Sequence, residues 1–168
     1  AATAAGSSGA DAERPAGARA AATAAGPSCR ARLVLCEAHR DARGAAHPHL
    51  VLHGATGVPQ RFYRHFGAWA AERGLGVLTY DYRDFGESLT GPTRASTATF
   101  ADWALRDQAA AETKLAELAP DGPLWILGHS LGGLGFAFRR HDARVAQIIT
   151  VGAGMAHHSD HPWSYRPK

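Results

Sequence analysis

The stretch LWILGHSLGG, residues 124–133, constrains this chain more than any other part of it. Four apolar residues lead into Gly128-His129-Ser130-Leu131-Gly132, a G-x-S-x-G pattern. A serine held on a sharp strand-to-helix turn needs very small residues two before and two after it, because the chain passes itself closely there. Both positions are glycine, and Gly133 gives further room for close helix packing. A serine that merely capped a helix would need neither glycine. The pattern therefore predicts a strand that ends in an exposed, strained serine.

The rest of the chain supplies the setting for such a turn. "CRARLVLCEA" from Cys29 reads as a half-buried strand, and "HPHLVLHGATG" holds a short apolar run, Leu50 to Leu52, that ends in glycines. A helix over "PQRFYRHFGAWAAERG" is expected to bury Phe62, Phe66, Trp69 and Ala70, with Gly74 as its C-cap. "GVLTYDYRDFG" is the next strand. A second helix, about 100–118, carries Phe100, Trp103, Ala110, Ala111, Leu115 and Leu118 at helical spacing and stops at "APDGP". "PLWILG", a short helix after Ser130, and "RVAQIITVGAG" complete the series. Alternating strands and helices predict an α/β fold whose mostly parallel sheet is covered by helices on both faces. In such sheets ligands bind at the carboxyl ends of the strands. His53 and Gly54, Asp81 to Ser88, Gly128 to Gly132 and the loop after Gly154 all fall there.

Composition narrows the functional classes. Eighteen Lys and Arg against fifteen Asp and Glu give +3, with arginines scattered among acids rather than gathered into a block, so nothing favours nucleic acid. The 168 residues suit one domain, no stretch is long and apolar enough for a membrane span, and the front lacks a secretory apolar core. Two cysteines, Cys29 and Cys36, form neither a disulfide framework nor a CxxC unit and read as free thiols of a reducing, cytoplasmic compartment. Residues 1–28 are rich in alanine, glycine and serine and read as a disordered leader, which leaves residues 29–168 as the folded domain.

Three motifs together carry a family resemblance. "LVLHGATG", "LTYDYRDFGES" and "LWILGHSLGG" resemble, in that order, the oxyanion turn after strand 3, the D-x-R-G-x-G-x-S stretch after strand 4 and the nucleophile elbow on strand 5 of the α/β-hydrolases. Further wording, "GATGVPQRFY" and "DHPWSYRP", is similar to a group of bacterial α/β-hydrolases of the serine branch. A serine at the elbow separates the chain from the dehalogenase and epoxide-hydrolase branches, which attack with a carboxylate. Asp84 stands where the second stretch usually has glycine.

The resemblance implies hydrolysis of a carboxylic ester, thioester or amide through an acyl-enzyme on Ser130, with a small ester-like substrate and no cofactor. It implies backbone N–H donors at Ala55 and Leu131 for the oxyanion. His53, Gly54, Gly128, His129 and Gly132 shape the turns, and Asp81 and Arg83 support the loop. The family places its acid and histidine after strands 7 and 8, and the sequence reaches Lys168 soon after strand 6. The expectation is thus the amino-terminal part of a hydrolase, inactive or weakly active by itself. Asp160 as acid, and His157, His158 or His161 as base, are the substitutes the tail offers. Pro162 directly follows those four side chains and argues against the helix that zinc motifs of this kind need, so no metal site is expected, and His47-Pro48-His49 reads as a plain loop. The uncovered strand, residues 145–151, invites self-association. The rival reading is a non-catalytic hydrolase-like binding protein, which would have no need for a strained elbow.

Overall fold

The computed structural model describes the backbone of strands β1 (Ala18–Ala25) and β2 (Arg30–Cys36) and all of residues 46–154. Four further strands follow: β3 (His49–His53), β4 (Gly76–Tyr80), β5 (Leu124–His129) and β6 (Val145–Val151). They form one sheet in the order β1-β2-β4-β3-β5-β6. The pairs β4–β3, β3–β5 and β5–β6 are parallel, whereas β1–β2 and β2–β4 are antiparallel. The expected α/β class with a mostly parallel sheet is what the chain adopts.

One expectation needs correction. Part of the alanine-rich stretch assigned to a disordered leader is strand β1, in register with β2 from Ala18 opposite Cys36 to Ala25 opposite Arg30. Alanine contributes little apolar burial, but the backbone groups of such a segment are satisfied by a neighbouring ladder, and composition does not reveal that neighbour. Residues 1–17 and 26–29 lie outside the described part.

Helices lie on both faces because side chains alternate along each strand. Val51, Leu78, Leu124 and Ile126 point to one side, where they pack with Ala111 and Leu115 of helix α2 (Gln108–Leu118). Leu50, Leu52, Val77, Trp125 and Leu127 point to the other, against Phe66 and Ala70 of helix α1 (Arg64–Ala71). β3 and β4 are buried at every position, as a strand covered on both faces must be.

The aromatic faces predicted for the two helices are partly wrong. Phe62 and Trp69 are 64% and 51% exposed, and Phe100 is 60% exposed. A 3-10 turn, Gln60–Tyr63, precedes α1, and a π-helical segment, Asp102–Asp107, precedes α2. Each winds at a period other than 3.6, so residues counted across the junction leave the face that a uniform α-helix would give them. Inward positions go instead to Tyr63 and to Asp107, Gln108 and Glu112. Gly74 does stop α1, with φ +80° and its N–H donating to the Ala71 carbonyl. After Ser130 the expected short helix is two 3-10 turns, Ser130–Gly133 and Gly135–Phe138.

Candidate functional site

Ser130 begins directly where β5 ends, and its φ is +53°. Asp84 is the other non-glycine residue with positive φ among the described residues. For a serine this left-handed conformation costs about 1–3 kcal/mol and persists only where the surroundings impose it. The flanking glycines show how. A Cβ on Gly128 would lie 2.5 Å from the Gly132 carbonyl oxygen and from the Gly133 Cα, and one on Gly132 would fall on the His53 carbonyl. The elbow is therefore wedged against itself and against the end of β3, as the motif requires.

The β3 end carries His53, Gly54 and Ala55. His53 is fully buried, and both ring nitrogens are engaged: Nδ1 lies 2.7 Å from the Tyr80 hydroxyl and Nε2 2.9 Å from Glu112 Oε1. A carboxylate only accepts, so Nε2 carries the proton and Nδ1 accepts from Tyr80. Burial pushes the His53 pKa down against the pull of Glu112, which keeps the imidazole neutral. Both nitrogens of this histidine are therefore taken up by Tyr80 and Glu112.

Glu112 is the centre of a polar cluster that sequence reasoning missed. Arg139 Nη2 donates to its Oε1 and His141 Nδ1 lies 2.9 Å from Oε2. Burial pushes the Glu112 carboxyl up, but hydrogen bonds from His53, Arg139 and His141 outweigh it and hold the pKa at about 2. One turn earlier on α2, Gln108 donates to the Tyr82 hydroxyl at 3.2 Å and to the Gly132 carbonyl at 3.3 Å, and accepts from Arg139 at 3.0 Å. Tyr82 in turn donates to the Gly54 carbonyl at 3.0 Å. α2 thus ties the β3 turn and the elbow to one scaffold. The sequence held a signal for this: Gln108 and Glu112 stand at i and i+4, on the face that also bears Ala111 and Leu115.

Asp81 and Arg83 support the β4 loop. Asp81 accepts from the backbone N–H of Gln60 at 2.7 Å and of Glu87 at 2.8 Å, and Arg83 forms an ion pair with buried Asp107 at 2.6 Å. Asp84 takes the left-handed conformation that glycine usually supplies, φ +56°, and its carboxylate accepts from the Thr90 and Ser96 hydroxyls.

At the mouth between β3 and β5, the Ala55 N–H donates to the Tyr63 hydroxyl at 2.9 Å, and the same oxygen lies 3.0 Å from His129 Nδ1. Tyr63 is 8% exposed, and burial pushes its pKa up, so the hydroxyl keeps its proton. Tyr63 is the second residue missed from sequence. Leu131 follows Ser130 in the elbow turn, whereas His157, His158, Asp160 and His161 lie outside the described residues. Among the described residues, no cluster of three or more His, Cys, Asp or Glu could hold a metal ion.

A strained serine between glycines, with an H-G turn beside it on a parallel sheet, is matched by one family model, that of the alpha/beta hydrolase fold, over residues 48–166. The chain belongs to the alpha/beta hydrolase family. Solved structures agree on the fold. A thermostable carboxyl esterase from Bacillus coagulans is 18% identical with a TM-score of 0.52, over 70% of this chain and 37% of its own. A hypothetical protein from Pseudomonas aeruginosa is 24% identical with a TM-score of 0.56, over 73% and 37%. A soluble variant of monoglyceride lipase from Saccharomyces cerevisiae is 19% identical with a TM-score of 0.50, over 62% and 33%. The chain thus spans about a third of the length of these relatives. No curated protein matches it.

Proposed function

We propose that the protein is a serine hydrolase of carboxylic esters, thioesters or amides in which Ser130 attacks the acyl carbon and forms an acyl-enzyme. The observation that carries this reading is the φ of +53° at Ser130. A binding protein gains nothing from that strain, whereas a nucleophile at the mouth of a sheet does. The Leu131 N–H is the proposed backbone support of the tetrahedral oxyanion, with the Ala55 N–H at the β3 turn as the second group of that hole, and a donor to such an oxygen is worth about 2.7–4 kcal/mol in the transition state. The serine proton must pass to a base. His53 is committed to Tyr80 and Glu112, so the base comes from outside the described residues; His157, His158 and His161, with Asp160 as acid, are the candidates. Without that base the hydroxyl is a weak nucleophile, and turnover by this chain is expected to be slow.

Intact-mass spectrometry after exposure to a fluorophosphonate tests the reading. A single adduct that is lost in Ser130→Ala supports it; a folded protein that takes no adduct supports the binding alternative. Ser130→Gly removes the same adduct and, by releasing the strain, raises unfolding stability by about 1 kcal/mol in urea titration.

The proposal extends to compartment and assembly. No described helix is long and apolar enough to cross a membrane. With only two cysteines in the sequence, a reducing cytoplasmic setting fits. β6 has no charged residue and no proline among its seven residues, and Ile148 and Val151 are exposed, so among the described residues this edge shows none of the usual protection against pairing. A second copy of the chain, antiparallel and centred on Ile148, extends the sheet. Light scattering is expected to give a dimer, and Ile148→Lys a folded monomer; a monomer without the substitution removes this part of the proposal.

A further inference from the structure

The Tyr63 hydroxyl stands at the place where the hydrolase reading puts an oxyanion. Ala55 N–H, one of the two donors that reading requires, points at Tyr63 Oη from 2.9 Å and is used by it. A substrate oxygen can reach that N–H only if Tyr63 leaves, or it can be served by Tyr63 itself. The ring is not placed to leave. It is 8% exposed, and a Cβ on Gly54 would already lie 3.2 Å from its Cε2. Phe62 and His129 meet it edge to face, with centroids 5.3 and 6.0 Å away.

Resting on the serine-hydrolase reading, we infer that Tyr63 is a catalytic residue, donating its hydroxyl hydrogen to the oxyanion that forms when Ser130 attacks, while Ala55 acts through it. A phenol oxygen has one hydrogen to give and two lone pairs to receive. Ala55 N–H fills one lone pair. His129 Nδ1, 3.0 Å away, fills the other when it carries the ring hydrogen, which leaves the Tyr63 hydrogen free for the substrate. Bonds received by a hydroxyl polarise it and strengthen the bond it donates. The phenol stays neutral throughout, because burial holds its pKa above the ordinary tyrosine value. The oxyanion hole is then one backbone donor, Leu131 N–H, and one side-chain donor, with the Ala55 amide and His129 as positioning groups behind Tyr63.

Phenylboronic acid tests this on the full chain without needing a catalytic base. The serine oxygen bonds to boron, its proton goes to solvent, and the tetrahedral anionic boronate presents an oxygen to the hole. Adduct affinity is measured by boron-11 NMR or calorimetry. Tyr63→Phe, checked for folding by circular dichroism, is expected to weaken the adduct tenfold or more while leaving the Ser130 adduct stoichiometry at one. Site-specific 3-fluorotyrosine at position 63 keeps ring and hydroxyl and acidifies the donor, so it is expected to tighten the adduct. Equal affinity in these variants overturns the inference and leaves the hydrolase reading standing. Tighter binding by Tyr63→Phe also overturns it, since the hydroxyl is then a plug. A folded wild-type chain that forms no adduct overturns the reading of Ser130 and this inference with it.

Discussion

The two faces of the sheet are built on opposite principles, although neighbouring residues of the same strands supply both. Under α2 the packing is closed, and much of what is buried is polar: Asp107, Gln108 and Glu112 lie inside with Ala111 and Leu115. Under α1 the packing is apolar and open, and a groove of about 350 Å³ runs among Phe66, Trp69, Trp125, Leu127 and Ile149. The difference teaches where each face spends its order. The α2 face holds the turns at the carboxyl ends of β3 and β5 through directional bonds, whereas the α1 face supplies non-directional burial that tolerates a gap.

Truncations on β5 give the largest separation between the faces. Ile126 is 1% exposed on the α2 side, and Leu127 lines the groove on the other. Ile126→Ala leaves a closed cavity and is expected to cost about 4 kcal/mol in urea unfolding, against about 1.5 kcal/mol for Leu127→Ala. Equal costs would show that the groove is filled in solution. Glu112→Ala follows at about 3 kcal/mol, because Arg139, His53 and His141 lose their shared acceptor in a buried setting. A cost under about 1 kcal/mol would show that water replaces the carboxylate. Arg139 Nε and Nη1 are already buried without a hydrogen-bond partner among the described residues, so this cluster has little slack.

Acid acts on the α2 face first. The His53 pKa is lowered in the folded chain, so below about 6.5 the unfolded chain binds a proton that the folded one refuses, and stability falls. The Glu112 pKa is lowered to about 2, so its contribution is full above the ordinary carboxylate value of 4.5 and is lost as pH falls from there toward 2. Melting temperature is expected to decline below pH 6.5 and more steeply below 4.5, and Glu112→Gln is expected to flatten the lower part. An unchanged profile in that variant would remove the cluster from the account. The smallest effect belongs to the outer side of α1: Trp69 is half exposed and, among the described residues, its ring contacts are with Phe66 and Arg73, so Trp69→Ala is expected to cost about 0.5 kcal/mol.

Much of this was legible in sequence for a local reason. The apolar runs at 50–52 and 124–127 announce buried strands, and the glycines at 128 and 132 announce a turn that admits no side chain, since each signal needs only a few adjacent residues. Asp81 and Arg83 were read as loop supports through the family resemblance, since their partners Gln60 and Asp107 lie 21 and 24 positions away. The helix faces were not, because 3-10 and π turns shift the phase and depend on what each helix meets. Tyr63 and Glu112 were missed for a related reason: a buried polar side chain is stable only with its partners, and these partners are 8 to 66 positions away along the chain.

The sequence by itself determined the α/β class, the succession of strands β3 to β6 along the chain and the strained serine at the end of β5, because these follow from side-chain alternation and from glycine at two positions. Only the tertiary structure decided that Ala18–Ala25 joins the sheet, that α2 turns polar residues inward, and that a tyrosine hydroxyl meets the Ala55 amide. Each of these depends on hydrogen-bond partners brought together by the assembled sheet. The energy of such a bond exists only once both groups have left water together.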